Sequence, residues 1–167
     1  MARIEATSEE RAGVRTTRAF LMSGLTAGHS VFHWFQQSFV VMLPEVQAAF
    51  SLSEIGVGAI TATRELSSGL ITLPGGLILD LVRRHWGLVL ALCMAAFGFG
   101  WLLIGAVSLY PVLLIGTAIV AMAASLWHLP ALASLSHHFP ERRATALSLH
   151  GIGGSIGEAF GPIVTGV

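Results

Sequence analysis

Five long apolar segments constrain this chain more than any other feature of its sequence. They cover roughly residues 20–43, 55–79, 86–107, 111–135 and 144–167. Each is close to the ~20 residues that an α-helix needs to cross the hydrocarbon core of a bilayer. Lipid offers the backbone no hydrogen-bond partners, and the segments do not alternate as barrel strands do, so each must be a helix. The sequence therefore predicts an all-α membrane protein with about five transmembrane helices.

The composition and the first residues fit this interpretation. Hydrophobic residues make up 54% of the chain and charged residues 11%, which leaves too little polar surface to cover a water-soluble globule. Residues 1–18 differ from the rest, because they are polar and contain four arginines. Such a composition cannot bury a core. We expect a disordered tail at 1–18, followed by a bundle of helices over 19–167.

The basic residues lie on alternate connections between the apolar segments. Arginines occur in the tail, after the second segment and after the fourth, whereas the other two connections have none. The positive-inside rule then places the N-terminus in the cytoplasm and the bundle in the cell membrane. Five spans would leave the C-terminus outside, yet Val167 ends the chain within an apolar run. We therefore expect a C-terminal truncation.

A short motif follows the second segment, where Gly76 precedes Asp80 by four residues and Arg83 and Arg84 come next. The motif resembles the signature of the major facilitator superfamily, which runs glycine, three residues, aspartate, a basic residue, one residue, glycine and two basic residues. Here Leu81 replaces the first basic residue, and Arg83 stands in the place of the second glycine. The resemblance implies a transporter with twelve helices in two six-helix bundles. This chain would form part of the N-terminal bundle.

The fifth segment carries glycine at every fourth position, namely Gly153, Gly157 and Gly161, and then Pro162. On a helix these glycines form a smooth ridge that a neighbouring helix can approach closely, and the proline loosens the outer end. The pattern resembles the glycine-x-x-x-glycine-proline motif of the superfamily's antiporters. Ordinary tight packing is the alternative interpretation.

The stretch 125–162 is similar to drug exporters of the fosmidomycin-resistance type. It contains His128, Pro130, a Phe-Pro-Glu-Arg-Arg turn and the glycine ridge. The exporters have histidine directly before proline, whereas Leu129 intervenes here. The resemblance implies efflux of small molecules.

Charged side chains also lie inside the predicted spans, where an unpaired charge costs ~2.5 kcal/mol or more. Arg64 and Glu65 lie ~14 Å deep in the second helix. Because adjacent residues point about 100° apart, we expect them not to pair with each other but to face other helices or a water-filled cavity. A permanent ion pair between helices is the alternative. Glu158 in the fifth helix is either a proton-carrying acid or the fixed counter-ion of Arg64.

One face of the first helix carries His29, His33, Gln36 and Gln37 at positions i, i+4, i+7 and i+8. The histidines could couple protons and the glutamines could bind a polar substrate, or all four could form interhelical hydrogen bonds. Metal or haem ligation together with His128 is a further possibility. We expect His128 to lie nearer the cytoplasm than His29, and no acidic or cysteine cluster completes a site. The sequence therefore predicts no metal and no cofactor.

Asp80 could pair with Arg84, Arg142 or Arg143 at the cytoplasmic face, as a gate that biases the inward–outward equilibrium. The sequence has no phosphate loop, nucleophile triad or nucleotide fingerprint, and we predict neither an enzyme, an ATP-driven pump nor a partner for nucleic acid. The expected function is proton-coupled export of small molecules by alternating access. The alternatives are a haem- or partner-binding membrane subunit that does not transport, and a fragment that is inactive without a second bundle or a dimer partner.

Overall fold

A computed structural model describes residues 17–166, and the helical architecture is as predicted. The described residues contain no strand. Short 3-10 helices form the connections after α2 and after α4. The predicted tail lies outside the described residues except for positions 17 and 18. The five α-helices are α1 (Arg18–Ala49), α2 (Glu54–Leu81), α3 (Trp86–Ala106), α4 (Tyr110–His138) and α5 (Arg143–Thr165).

Local sequence explains where these helices begin and end. The Thr17 side chain caps α1 by accepting a hydrogen bond from the Phe20 amide at 3.2 Å, and Ser53 caps α2 in the same way. Helix α1 continues beyond the predicted end near residue 43, because Pro44 removes one backbone hydrogen bond without ending the helix. Helix α4 continues to His138 instead of ending near residue 135. This longer α4 changes the depth of His128.

Helix α4 lies at the centre of one group of helices. It runs parallel to α2, since the Tyr110 hydroxyl at its start donates a hydrogen bond to the Gly56 carbonyl at the start of α2, at 2.6 Å. Helix α3 runs antiparallel to α4. These two backbones come close at Gly100 and Gly116, where a Cβ on Gly116 would lie 3.0 Å from the Gly100 carbonyl oxygen. Helices α2, α3 and α4 therefore form one packed unit.

Helices α1 and α5 form a second, parallel pair, and the glycine ridge lies along their contact. A Cβ on Gly153 would lie 2.5 Å from the Thr26 carbonyl oxygen, and a Cβ on Gly157 would collide with the Ser30 carbonyl oxygen. The Ser30 hydroxyl donates a hydrogen bond to the Gly153 carbonyl. Only glycine permits this approach of the two backbones.

The outer surface of the bundle is apolar. Leu73, Leu77 and Leu102 are 83%, 73% and 72% exposed, an arrangement that suits lipid rather than water. By length and composition, two helical stretches among the described residues can cross a membrane, Arg83–Ala106 and Tyr110–His138. The other three helices carry most of the polar side chains named above, and several of these meet inside the bundle.

Candidate functional site

Four histidines from three helices meet between α1, α4 and α5, and we call them the histidine cluster: His29, His33, His128 and His150. The ring centroid of His29 lies 4.5 Å from that of His33 and 4.9 Å from that of His128. It also stacks on His150, with 4.1 Å between centroids and 4° between ring planes. One side chain of α1 thus contacts imidazoles from two other helices.

The prediction that His128 lies nearer the cytoplasm than His29 is wrong. The end of α4 and the start of α1 lie at the same end of the bundle as Arg83, Arg84 and Arg142, and we call it the arginine-rich end. Because α4 ends at His138 and α1 begins at Arg18, His128 and His29 are at similar distances from it. At 1.5 Å per residue both lie roughly 15 Å from that end. The error came from ending α4 too early.

Glu158 joins the cluster through His33. The Nδ1 atom of His33 lies 2.8 Å from Oε1 of Glu158, and this contact connects α1 with α5. Both side chains are partly accessible, at 25% and 48% exposure. The ion-pair partner of Arg64 in the described residues is Glu65 rather than Glu158, so the structure does not support the counter-ion role. A carboxylate and an imidazole at this distance can share a proton.

Hydrogen bonds to backbone carbonyls orient two more rings of the cluster. Nδ1 of His29 lies 2.8 Å from the His150 carbonyl oxygen, and Nδ1 of His128 lies 2.6 Å from the Ala124 carbonyl oxygen. A carbonyl can only accept, so each Nδ1 must carry the hydrogen. In the neutral rings the lone pair is therefore on Nε2.

His150 is a member of the site that the sequence analysis did not single out. It is 1% exposed. The Leu25 backbone approaches the ring as a hydrogen-bond partner, although the geometry at neither ring nitrogen is that of a full hydrogen bond. The spacing offered a signal, because His150 precedes Glu158 by eight residues and so shares its helical face. The Trp127 ring also stacks on His150, with 5.9 Å between centroids and 21° between ring planes.

A second polar region is a cavity that lies between α1, α2, α3 and α4. Gln36 and Arg64 line it together with Thr117 and Trp101. The Trp101 indole nitrogen is buried and has no hydrogen-bond partner among residues 17–166. The cavity, of about 30 Å³, thus brings together a guanidinium, an amide and a free N–H donor, groups that form hydrogen bonds with water or with the polar or anionic part of a ligand.

Glu65 and Gln37, which we predicted to face the transport pathway, do not line this cavity. The prediction that Arg64 and Glu65 do not pair with each other is wrong. Nε of Arg64 is 3.7 Å from Oε1 of Glu65, since long side chains can bridge the angle between neighbouring helical positions. Glu65 is 69% exposed and does not line the cavity. Gln37 packs against Gly161 of α5: a Cβ added to Gly161 would lie 2.8 Å from the Cβ of Gln37.

The arginine-rich end shows no closed gate in this conformation. Asp80 is exposed, and the ion pairs of the described residues do not include it. The Arg83 guanidinium lies over the Trp86 ring, 5.7 Å from its centroid. The predicted gate residues Gly76, Arg84, Arg142 and Arg143 are exposed.

Comparison with known proteins agrees with this architecture. A sequence profile described as Major Facilitator Superfamily matches residues 25–167, which include the histidine cluster, Glu158 and the glycine ridge. No curated protein and no solved structure gives a significant match. The closer resemblance to exporters of the fosmidomycin-resistance type stays a prediction. Proteins of the matched superfamily are membrane transporters rather than enzymes. The profile covers most of the chain, and the chain belongs to the Major Facilitator Superfamily.

Proposed function

We propose that the chain forms the N-terminal part of a proton-coupled transporter, which exports small molecules across the cell membrane by alternating access. The contact of His33 with Glu158 carries this proposal, because it places two titratable groups 2.8 Å apart between two helices. Adding or removing a proton changes the strength of such a contact. A proton taken up here can therefore alter how α1 and α5 are held together.

The cavity beside Arg64 is our candidate for the place where the substrate binds. Its polar groups lie among apolar lining residues such as Phe39 and Ile104, but its volume of about 30 Å³ has room only for water in this conformation. Binding of a substrate therefore requires the helices around it to move apart. The resemblance of the stretch 125–162 to drug exporters favours efflux over uptake. We propose a small, drug-like substrate with a polar or anionic group.

The positions of the arginines support a cytoplasmic N-terminus. Arg18 begins α1, Arg83 and Arg84 follow α2, and Arg142 and Arg143 precede and begin α5, so these arginines lie at one end of the bundle. We place this end in the cytoplasm by the positive-inside rule. Alternating access requires a second bundle, or a second copy of the chain, across from the site.

Cysteine labelling tests whether water reaches the cavity. In a Cys93→Ala background, which removes the only cysteine, Gln36→Cys is expected to react with a membrane-impermeant maleimide added from either side of oriented vesicles. The control Leu102→Cys is on a highly exposed apolar position of α3 and is expected to react from neither side, since it faces lipid. Protection of Gln36→Cys from both sides would mean that the cavity is sealed, and the transport proposal would fail.

Asp80→Asn is expected to slow transport more than it weakens substrate binding. The side chain is exposed at the arginine-rich end and does not line the cavity, so its effect should come from the inward–outward equilibrium rather than from contact with substrate. Initial transport rate and equilibrium binding measured on the same proteoliposomes separate the two effects. Equal losses in both quantities would argue against the gate.

A further inference from the structure

The histidine cluster has the donor set of a transition-metal site. A ring nitrogen from each of His29, His33 and His128 lies within 4.8 Å of the other two. Imidazole nitrogen suits Zn²⁺, Co²⁺, Ni²⁺ and Cu²⁺, whereas Mg²⁺ and Ca²⁺ prefer oxygen. We infer that these three side chains bind a late first-row divalent cation of the zinc class.

The hydrogen bonds that each ring makes through Nδ1 support this inference. Metal-binding histidines almost always donate their other ring N–H to a carbonyl or a carboxylate, which fixes the ring and its tautomer. His29 and His128 donate through Nδ1 to backbone carbonyls at 2.8 and 2.6 Å. His33 donates through Nδ1 to the Glu158 carboxylate at 2.8 Å. All three rings thus hold Nδ1 in a hydrogen bond and keep the Nε2 lone pair for a cation.

His150 supplies a separate observation. Its ring is 1% exposed and stacks on His29, yet neither nitrogen completes a hydrogen bond within the described residues. The Leu25 backbone approaches the ring and can satisfy one nitrogen at most, and a buried nitrogen that is left without a partner is costly. A cation in the cluster, or water bound to it, would provide the missing partner.

Small ring movements are enough to reach metal-binding geometry. Zinc–nitrogen distances of about 2.0–2.1 Å put tetrahedral ligands roughly 3.4 Å apart. One nitrogen of each ring lies within 4.8 Å of the other two, so these three atoms must approach by no more than about 1.4 Å. Three protein ligands leave the fourth position open for water or another ligand. The sequence-based expectation against a metal assumed unequal depths for His29 and His128, which the structure contradicts.

The inferred site goes beyond the proposed function and does not depend on it. Binding of a cation at equilibrium requires no second bundle, no substrate and no proton gradient. A failed transport assay would therefore leave this inference intact, and a failed binding assay would leave the transport proposal intact.

Cobalt absorbance tests the inference directly. The full chain, purified in detergent through an affinity tag without histidines, is titrated with Co²⁺. We expect one strong site, with the intense visible d–d bands of four-coordinate cobalt. Zn²⁺ should remove these bands and Mg²⁺ should not. Absence of the bands, or weak bands typical of six-coordinate cobalt in water, would overturn the inference.

Matched variants assign the ligands. His29→Gln, His33→Gln and His128→Gln should each weaken Co²⁺ binding at least about 10-fold, and Glu158→Ala, which removes no ligand but removes the hydrogen-bond partner of His33, should weaken it by roughly 10- to 100-fold. His137→Gln is the control, because this exposed histidine lies at the end of α4 outside the cluster. Circular dichroism confirms that each variant is folded. Binding that is lost in the control but kept in His128→Gln would assign the cation to the surface and overturn the site.

Discussion

Replacing Glu158 by glutamine is expected to abolish proton-driven transport while leaving the protein folded. Glutamine keeps the shape of the side chain, and its amide oxygen can still accept the hydrogen bond from His33, which spans 2.8 Å in the structure. It cannot release or bind a proton in the physiological range. Transport driven by a pH gradient should therefore fall to the level of empty vesicles, whereas exchange of substrate without net proton movement should persist.

Proteoliposomes provide the measurement, with drug-like probes that the wild-type chain accumulates under a pH gradient. Glu158→Asp keeps a titratable group at a greater distance from His33 and should retain partial activity. Glu141→Gln removes an exposed carboxylate from the connection between α4 and α5 and should behave like wild type. Proton-driven accumulation that survives in Glu158→Gln would exclude this carboxylate as the coupling group.

Gly157→Ala is expected to separate α1 from α5 and to destabilise the bundle. The added Cβ would collide with the Ser30 carbonyl oxygen, and a backbone atom cannot turn aside as the end of a flexible side chain can. Overpacking of this kind costs about 1–3 kcal/mol. In a chain of this size the midpoint of thermal unfolding should fall by roughly 5 °C. Tryptophan fluorescence of the protein in detergent measures the transition.

Gly151→Ala is the matched control on the same helix. A Cβ at this exposed position would meet nothing within 4 Å, and alanine favours a helix over glycine by about 1 kcal/mol. The control should be as stable as wild type or slightly more stable. If Gly157→Ala matched the control, the contact of α5 with α1 would not be as tight as the structure shows.

Much of the architecture follows from the sequence because lipid restricts the choices. Long apolar runs predicted five helices, and residues 17–166 contain five α-helices at these places. The repeat at Gly153, Gly157 and Gly161 predicted a close approach, but it could not name α1 as the partner. Helical periodicity gives the face of each helix, whereas the neighbour of that face depends on how the helices pack together.

The site was predictable only in part, because the sequence does not show which helix faces are neighbours. His29 and His33 share a face of α1 by spacing alone, and the sequence analysis placed them on the pathway. Their contacts with His128 and Glu158 require the relative depths of helices, and an error of three residues at the end of α4 was enough to separate His128 from them. The role of His150 was missed because a lone histidine near a predicted helix start carries little signal.

The division of the helices into two packed groups has a mechanical consequence. Side-chain hydrogen bonds connect α1 with α5 and α2 with α4, and the Gln47 amide of α1 donates one to the Glu54 carboxylate of α2 at 3.0 Å. Within the described helices none connects α1 or α5 with α3 or α4, and the rings of Phe32, Trp127 and His128 meet there instead. Movement of the two groups along this aromatic contact breaks no side-chain hydrogen bond between α1 or α5 and α3 or α4 of the described residues, but it strains the bond between Gln47 of α1 and Glu54 of α2. A cation bound by His33 of the first group and His128 of the second would oppose this movement.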